Sequence, residues 1–250
     1  MKIFSFRYIT ALLVISLLIS CHTSWQTESL QYKSYRINQT VQTDAAVASI
    51  IKPYGDSVNK SMSDVLGVTE AALDKTQPEG TLGDFMVDAY FAMAKIKYNQ
   101  QVDGAVMNFG GIRLTQLAAG NITRGKVFEL MPFDNLLILQ KMKGSVLQQF
   151  LDLVAGRGGW PLANITMQIK DKKAVNVMIG GQPLDPQKEY TIANSDFVAN
   201  GGDNADMLRA IPQQTNGYLM RDAIIDYILS LKAQGRNVQP APLNRVSNAQ

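Results

Sequence analysis

The chain has 250 residues, a formal charge of +3, 46% hydrophobic residues and a single histidine and cysteine. One His excludes a metal centre built on several imidazoles, and one Cys excludes a disulfide within the chain. Charged residues at 18% are too few for a disordered polyelectrolyte, and the apolar fraction is enough for a sizeable core in one large domain or two small ones.

The first twenty residues read as an export signal. Lys2 and Arg7 precede an apolar run, Ile9 to Ile19, broken only by Thr10 and Ser16 and too short for a span of roughly 20 residues. The run ends Leu18-Ile19-Ser20-Cys21, which resembles the bacterial lipobox, so Cys21 is the expected lipidation site and new N-terminus. Cleavage there removes two of the three net positive charges and leaves no basic patch arguing for nucleic acid. Residues 21–30, with His22, read as a polar tether. A Ser-His-Asp triad is thereby excluded from the folded part.

From residue 31 strands and helices alternate. Tyr32 to Val41 predicts a strand; Asp44 to Met62 predicts a helix with Asp44 as N-cap and an interruption or kink at Pro53. Asp64 to Val68 reads as a strand. Leu82, Phe85, Met86, Ala89 and Met93 recur at helical spacing and predict a helix over 81–96. Gly104 to Met107 is a buried strand, Thr123 to Leu130 a helix capped by Thr123, Leu136 to Met142 a strand, and Ser145 to Val154 a helix capped by Ser145. Strands follow at Ile165 to Ile169, Val175 to Ile179 and Tyr190 to Ala193, then a helix from Gly217 to Leu231. Residues 235–250 read as a flexible tail. The expected fold is α+β: a single domain over 31–234 with a mixed β-sheet and flanking helices.

Gly120 to Lys126 has P-loop spacing, but Val127 stands where a Ser or Thr would hold Mg²⁺, so it reads as a turn and helix cap. Gly156-Arg157-Gly158-Gly159 reads as a flexible loop. Three other segments carry more. Asn108-Phe109-Gly110-Gly111-Ile112-Arg113 follows a buried strand, pairing glycines that permit close ligand approach with an amide and a guanidinium fork. Alone, it reads equally as a tight turn with a surface Arg. Met131-Pro132-Phe133-Asp134-Asn135 places an aromatic beside polar groups at a helix–strand junction. Phe197 to Asp203 runs from an aromatic through paired glycines to a carboxylate. Singly, each Phe reads as a core residue; together they read as a clamp for a flat ring, with the carboxylate suited to a ribose diol.

In this order and spacing the three segments resemble the C-terminal domain of the 5′-nucleotidase family, which includes UDP-sugar hydrolases and cyclic-nucleotide phosphodiesterases. The resemblance extends to Gly83 to Ala89, Gly120-Asn121-Ile122-Thr123 and Pro186 to Thr191. It implies Phe133 and Phe197 on the base, Asp203 on the ribose, and Asn108 and Arg113 as further polar contacts, with Asn135 a weaker candidate. Three departures stand out. Lys75 lies where the family often has Arg; Asp134 replaces a glycine and puts negative charge near the site; Asn204 and Ala205 replace a glycine and an aromatic.

In that family the chemistry sits in a separate metallophosphatase domain with two divalent metals, so no catalytic or metal-binding residue and no cofactor is expected in this chain. The resemblance implies the nucleotide-binding half of a split 5′-nucleotidase. A separate metallophosphatase partner chain would complete it at the bacterial cell envelope, periplasmic or outer-surface, where this chain is held by its N-terminal lipid. The alternatives are a non-enzymatic nucleoside-binding lipoprotein for uptake or sensing, and a degenerate domain kept as an interaction module.

Overall fold

The computed structural model describes residues 29, 31–34, 42–241 and 244–249. The leader, Cys21 and His22 lie outside these residues. So do positions 35–41 of the strand expected at 32–41, while 31–34 have no regular structure. Residues from Ile50 onward form one compact unit; in the preceding unit only residues 29, 31–34 and 42–49 are described.

Helix α1, Ala45–Met62, starts where Asp44 Oδ1 accepts the N–H groups of Ala46 and Val47, and it continues through Pro53. Strands β1 (Val65–Thr69) and β2 (Leu73–Asp74) lead to α2, Thr81–Tyr98, and then to β3, Gly104–Val106. Next come β4 (Gln116–Leu117), β5 (Gly120–Thr123), α3 (Arg124–Leu130) and β6 (Leu137–Lys143). Thr123 caps α3 as expected, its hydroxyl accepting the Lys126 N–H. Helix α4 spans Gly144–Gly156, followed by β7 (Leu162–Ala163), β8 (Ile165–Lys170), β9 (Lys173–Ile179) and β10 (Gln182–Pro183). Ser145 does not cap α4: the helix starts one residue earlier, Lys143 is its N-cap, and no side chain closes it. The chain ends with β11 (Glu189–Ser195), α5 (Asp196–Ala199), β12 (Gln213–Gln214), α6 (Met220–Ala233) and β13 (Val246–Asn248).

The stretch 235–250, expected to be a flexible tail, is thus partly a strand. β13 pairs in parallel with β8, because Arg245 anchors it: its guanidinium grips both oxygens of Asp88 at 2.7 and 2.8 Å and its backbone N–H is accepted by Glu79.

The central sheet has strand order β12-β6-β11-β3-β7. β11 and β3 are parallel, while β6 is antiparallel to β11, so the sheet is mixed as expected. Alternation along the strands divides the core. Ala105, Leu137, Leu139 and Ala193 face one cluster, built on Leu82, Met86 and Tyr90 of α2 and Ile224 and Ile228 of α6. Val106, Met142, Tyr190 and Ile192 face the other, built on Leu147, Phe150, Leu151 and Val154 of α4. A second sheet, β10-β9-β8-β13, lies on the α4 side through Ile165, Met167, Val177 and Val246.

On that same side of β6 sits Gln140, fully buried. Its amide donates to the carbonyls of Leu208 and Ile211, both at 3.0 Å, and its oxygen accepts from Asn194 at 3.1 Å. This ties the segment after Asp203 to the sheet. Gln140→Leu strands two buried polar groups and a third that is partly buried, and is expected to cost about 3 kcal/mol in urea-unfolding stability.

Candidate nucleoside-binding cavity

The topology decides where the loops go. β3 and β11 are parallel neighbours, so Asn108 and Phe197 leave the sheet at the same edge. β6 runs the other way, so the residues that enter it, Phe133 and Asn135, stand at that edge too. All six residues singled out from the sequence, Asn108, Arg113, Phe133, Asn135, Phe197 and Asp203, line one cavity of about 330 Å³ together with Gly110 and Gly111. Neither aromatic is in the core: Phe133 is 38% exposed and Phe197 44%.

Local chemistry fixes each loop. At 108–113, residues 109–111 form a short 3-10 turn that delivers Arg113 to the rim, where its guanidinium carbon stands 5.5 Å from the centre of the Phe133 ring. Across the cavity, the Asn108 amide donates to Asp203 Oδ2 at 2.8 Å, a link spanning 95 positions. That contact leaves Asp203 Oδ1 and the Asn108 carbonyl available to a ligand with paired hydroxyls.

In the third loop Ser195 caps α5, its hydroxyl accepting the Val198 N–H at 3.1 Å. Asp196 Oδ1 accepts both the Phe197 N–H (2.8 Å) and the Leu136 N–H (3.0 Å), joining the two loops that carry the aromatics. The Phe197 ring lies directly over Gly202: a Cβ there would stand 2.5 Å from it, so a larger residue at 202 would have to displace the ring. Asp203 and Asn204 both have left-handed backbone, φ 55° and 68°. Asp and Asn tolerate this region, so the turn forms here without a glycine at 203 or 204.

Two cations frame the Arg113 end. Lys75 donates to the Ile112 carbonyl at 2.8 Å and sits 4.2 Å above the Phe109 ring. Burial, and then the neighbouring Arg113 charge, hold its ammonium below the usual lysine range. Lys75 is therefore engaged with the 108–113 loop and is not one of the cavity-lining residues.

Several residues escaped the sequence reading. Arg157 belongs to a loop read as merely flexible, yet its guanidinium donates to the Asp203 carbonyl at 3.1 Å, and Gln77 holds the same loop by donating to the carbonyls of Arg157 and Gly159. Asp134 was expected to place negative charge near the site; instead its carboxylate meets Arg221 at 2.6 Å and does not line the cavity. Asp196 had a usable signal, a Ser-Asp pair closing a strand before a short helix. Arg157 and Arg221 had none, since each acts on residues far away in sequence.

The two metals of the family's catalytic centre do not fit these residues. Among the described residues no group of three His, Cys, Asp or Glu side chains is placed to hold a metal ion. Nor is any helix among them long and apolar enough to cross a membrane.

A family model described as the 5′-nucleotidase C-terminal domain matches residues 57–210. Among relatives, a protein UshA of Yersinia enterocolitica is 30% identical over 90% of this chain and 42% of its own length. A 5′-nucleotidase of Vibrio cholerae is 27% identical over 75% of this chain and 35% of its own. In fold, the chain is similar to a 5′-nucleotidase precursor of Thermus thermophilus, with a TM-score of 0.69 at 21% identity over 82% of this chain and 43% of that one. The chain spans less than half the length of these relatives. With the family model covering more than half of the sequence, this chain belongs to the 5′-nucleotidase C-terminal domain family.

Proposed function

We propose that this cavity binds the nucleoside end of a nucleotide. Phe133 and Phe197 hold the base; Asp203, braced by Asn108, accepts the ribose hydroxyls; Arg113 and Asn135 supply the remaining polar contacts. The observation that carries this reading is the meeting of all six residues around one cavity. Its volume lies at the small end of the roughly 300–1,000 Å³ typical of small-molecule sites, which suits one nucleoside. A flat base between two exposed rings gains dispersion and sheds water, and a carboxylate accepts two hydroxyl protons without competing for the base.

In the same reading the chain is the nucleotide-binding half of a 5′-nucleotidase, and a separate metallophosphatase chain carrying two divalent metals performs the hydrolysis. Both chains would act at the cell envelope, this one anchored through lipidated Cys21, where a shared membrane raises their effective concentration. The residues of this chain would then orient the phosphate toward the partner's metals and do no bond-breaking themselves.

The test is a calorimetric titration of the purified chain with adenosine and AMP, run beside a phosphate-release assay with added divalent metal. Expected are saturable binding and no release, with release appearing when the metallophosphatase half is added. Metal-dependent AMP hydrolysis by this chain alone would overturn the divided arrangement. Binding that no metallophosphatase half converts into turnover would favour the non-enzymatic reading.

A further inference from the structure

We propose that Arg221, carried on the first turn of α6 and outside the cavity, is the positioning residue of the Phe133 loop: its guanidinium sets where the Phe133 ring and the Asn135 amide stand. The inference rests on the nucleoside reading only for its functional consequence. The geometry stands without it.

Arg221 is 7% exposed. One terminal nitrogen donates to the Asp134 carboxylate at 2.6 Å; the other faces the carbonyls of Met131 and Phe133 at 3.4 and 3.3 Å. Its guanidinium carbon lies 4.1 Å from the centre of the Phe128 ring, which fixes the plane from below. Three positions of one loop, 131, 133 and 134, thus converge on a single side chain 87 to 90 positions away.

The asymmetry of the pair shows what it does. The Asp134 side chain is 79% exposed and the Arg221 side chain 9%. An arginine so far out of water needs a carboxylate and carbonyls to accept from its terminal nitrogens, its Nε having no partner, so the loop is drawn to the arginine. A loop carboxylate this exposed has no comparable need of a partner. The short charge-assisted bond therefore supplies most of the hold, and the two longer carbonyl contacts orient the loop around it. Beside it, the Met220 N–H donates to the Asn135 carbonyl at 2.9 Å, so the start of α6 grips both ends of the segment that bears the two cavity residues. The Phe133 ring itself is half out in solvent and has no core packing to define it; its place depends on its backbone.

The experiment places 4-fluorophenylalanine at position 133 in the full chain, with a control label at position 197, and records ¹⁹F spectra without ligand. The wild type is expected to give one narrow line at each position. Arg221→Gln should shift and broaden the 133 line and leave the 197 line in place. Arg221→Lys, which keeps the charge but not the fork, should give an intermediate result. Adenosine binding should weaken about tenfold in Arg221→Gln, the scale expected when a contact group is displaced by part of an ångström. An unmoved 133 line in folded Arg221→Gln would overturn the proposal, and so would equal changes at 133 and 197, which would mean general loosening. Should Arg221→Gln not fold, Asp134→Asn carries the test: it keeps the buried guanidinium on the carbonyls, and the 133 line must still shift. Failure of the wild type to bind adenosine would count against the nucleoside reading alone, because the ligand-free spectra decide the role of Arg221.

Discussion

Phe133→Ala and Phe197→Ala are each expected to weaken adenosine binding about tenfold or more, with little change in stability. Stacking a base on an aromatic ring contributes roughly 1–3 kcal/mol, and tenfold in Kd is about 1.4 kcal/mol. Both rings stand at the cavity with more than a third of their surface exposed, so their loss empties no core. Unfolding free energies should stay within roughly 0.5 kcal/mol of wild type. Phe→Tyr at either position keeps the ring face and should retain most of the affinity. The double alanine variant should fall by less than the product of the single effects, since a base lost from one ring is already less well held by the other. Calorimetric titration with adenosine checks all five variants; unchanged affinity in both single alanine variants would remove the clamp from the proposed function.

The second large effect is a dependence of stability on pH, centred on Asp84. This carboxyl is fully buried in the first turn of α2, among Glu79, Asp88 and Arg245. Burial pushes its pKa up from the ordinary carboxylate value to about 8; Arg245 pulls it down, while the charge and hydrogen bond of Glu79 and the charge of Asp88 push it further up. The folded protein therefore holds a proton that the unfolded chain, with an ordinary value of 3.8, releases. Between about pH 4 and pH 8 the unfolded state binds fewer protons, so stability falls as pH rises across this window. Asp84→Asn keeps the shape, can still donate to Glu79 and cannot ionise. Its stability advantage over wild type should grow with pH, reaching on the order of 2 kcal/mol at pH 8. Urea unfolding of both proteins at pH 5 and pH 8 measures this; a difference that does not change with pH would show that Asp84 holds no such proton.

Much of the fold was legible because local rules governed it. Asp44 and Thr123 cap their helices as their residue types require, and the apolar spacing of α2 matches its buried face from Leu82 to Ala94. Local rules failed where a distant partner overrode them. Ser145 reads as a cap, yet Gly144 lies so tightly against the Asp185 carbonyl that no side chain fits there, and the helix begins at that glycine. The C-terminal residues are polar and proline-containing, as a tail should be, but a partly buried arginine contact with Asp88 of α2, 157 positions back, makes part of them a strand.

The candidate site divides in the same way. Asn108, Arg113, Phe133, Asn135, Phe197 and Asp203 could be named from the sequence, because each is an unusual residue in a loop with paired glycines or a strand junction. That the loops meet was not in their spacing. It follows from β3 and β11 lying side by side in parallel with β6 reversed beside them, a pairing set by long-range hydrogen bonds and by the two core layers that cover the sheet. What the sequence determined by itself is the set of elements and the chemical types at the cavity, since both depend on near neighbours along the chain. Only the tertiary structure decided the convergence of those types and the identity of the arginines that hold them, Arg157 and Arg221, because a guanidinium that braces a loop from another element leaves no periodic or local mark in the sequence.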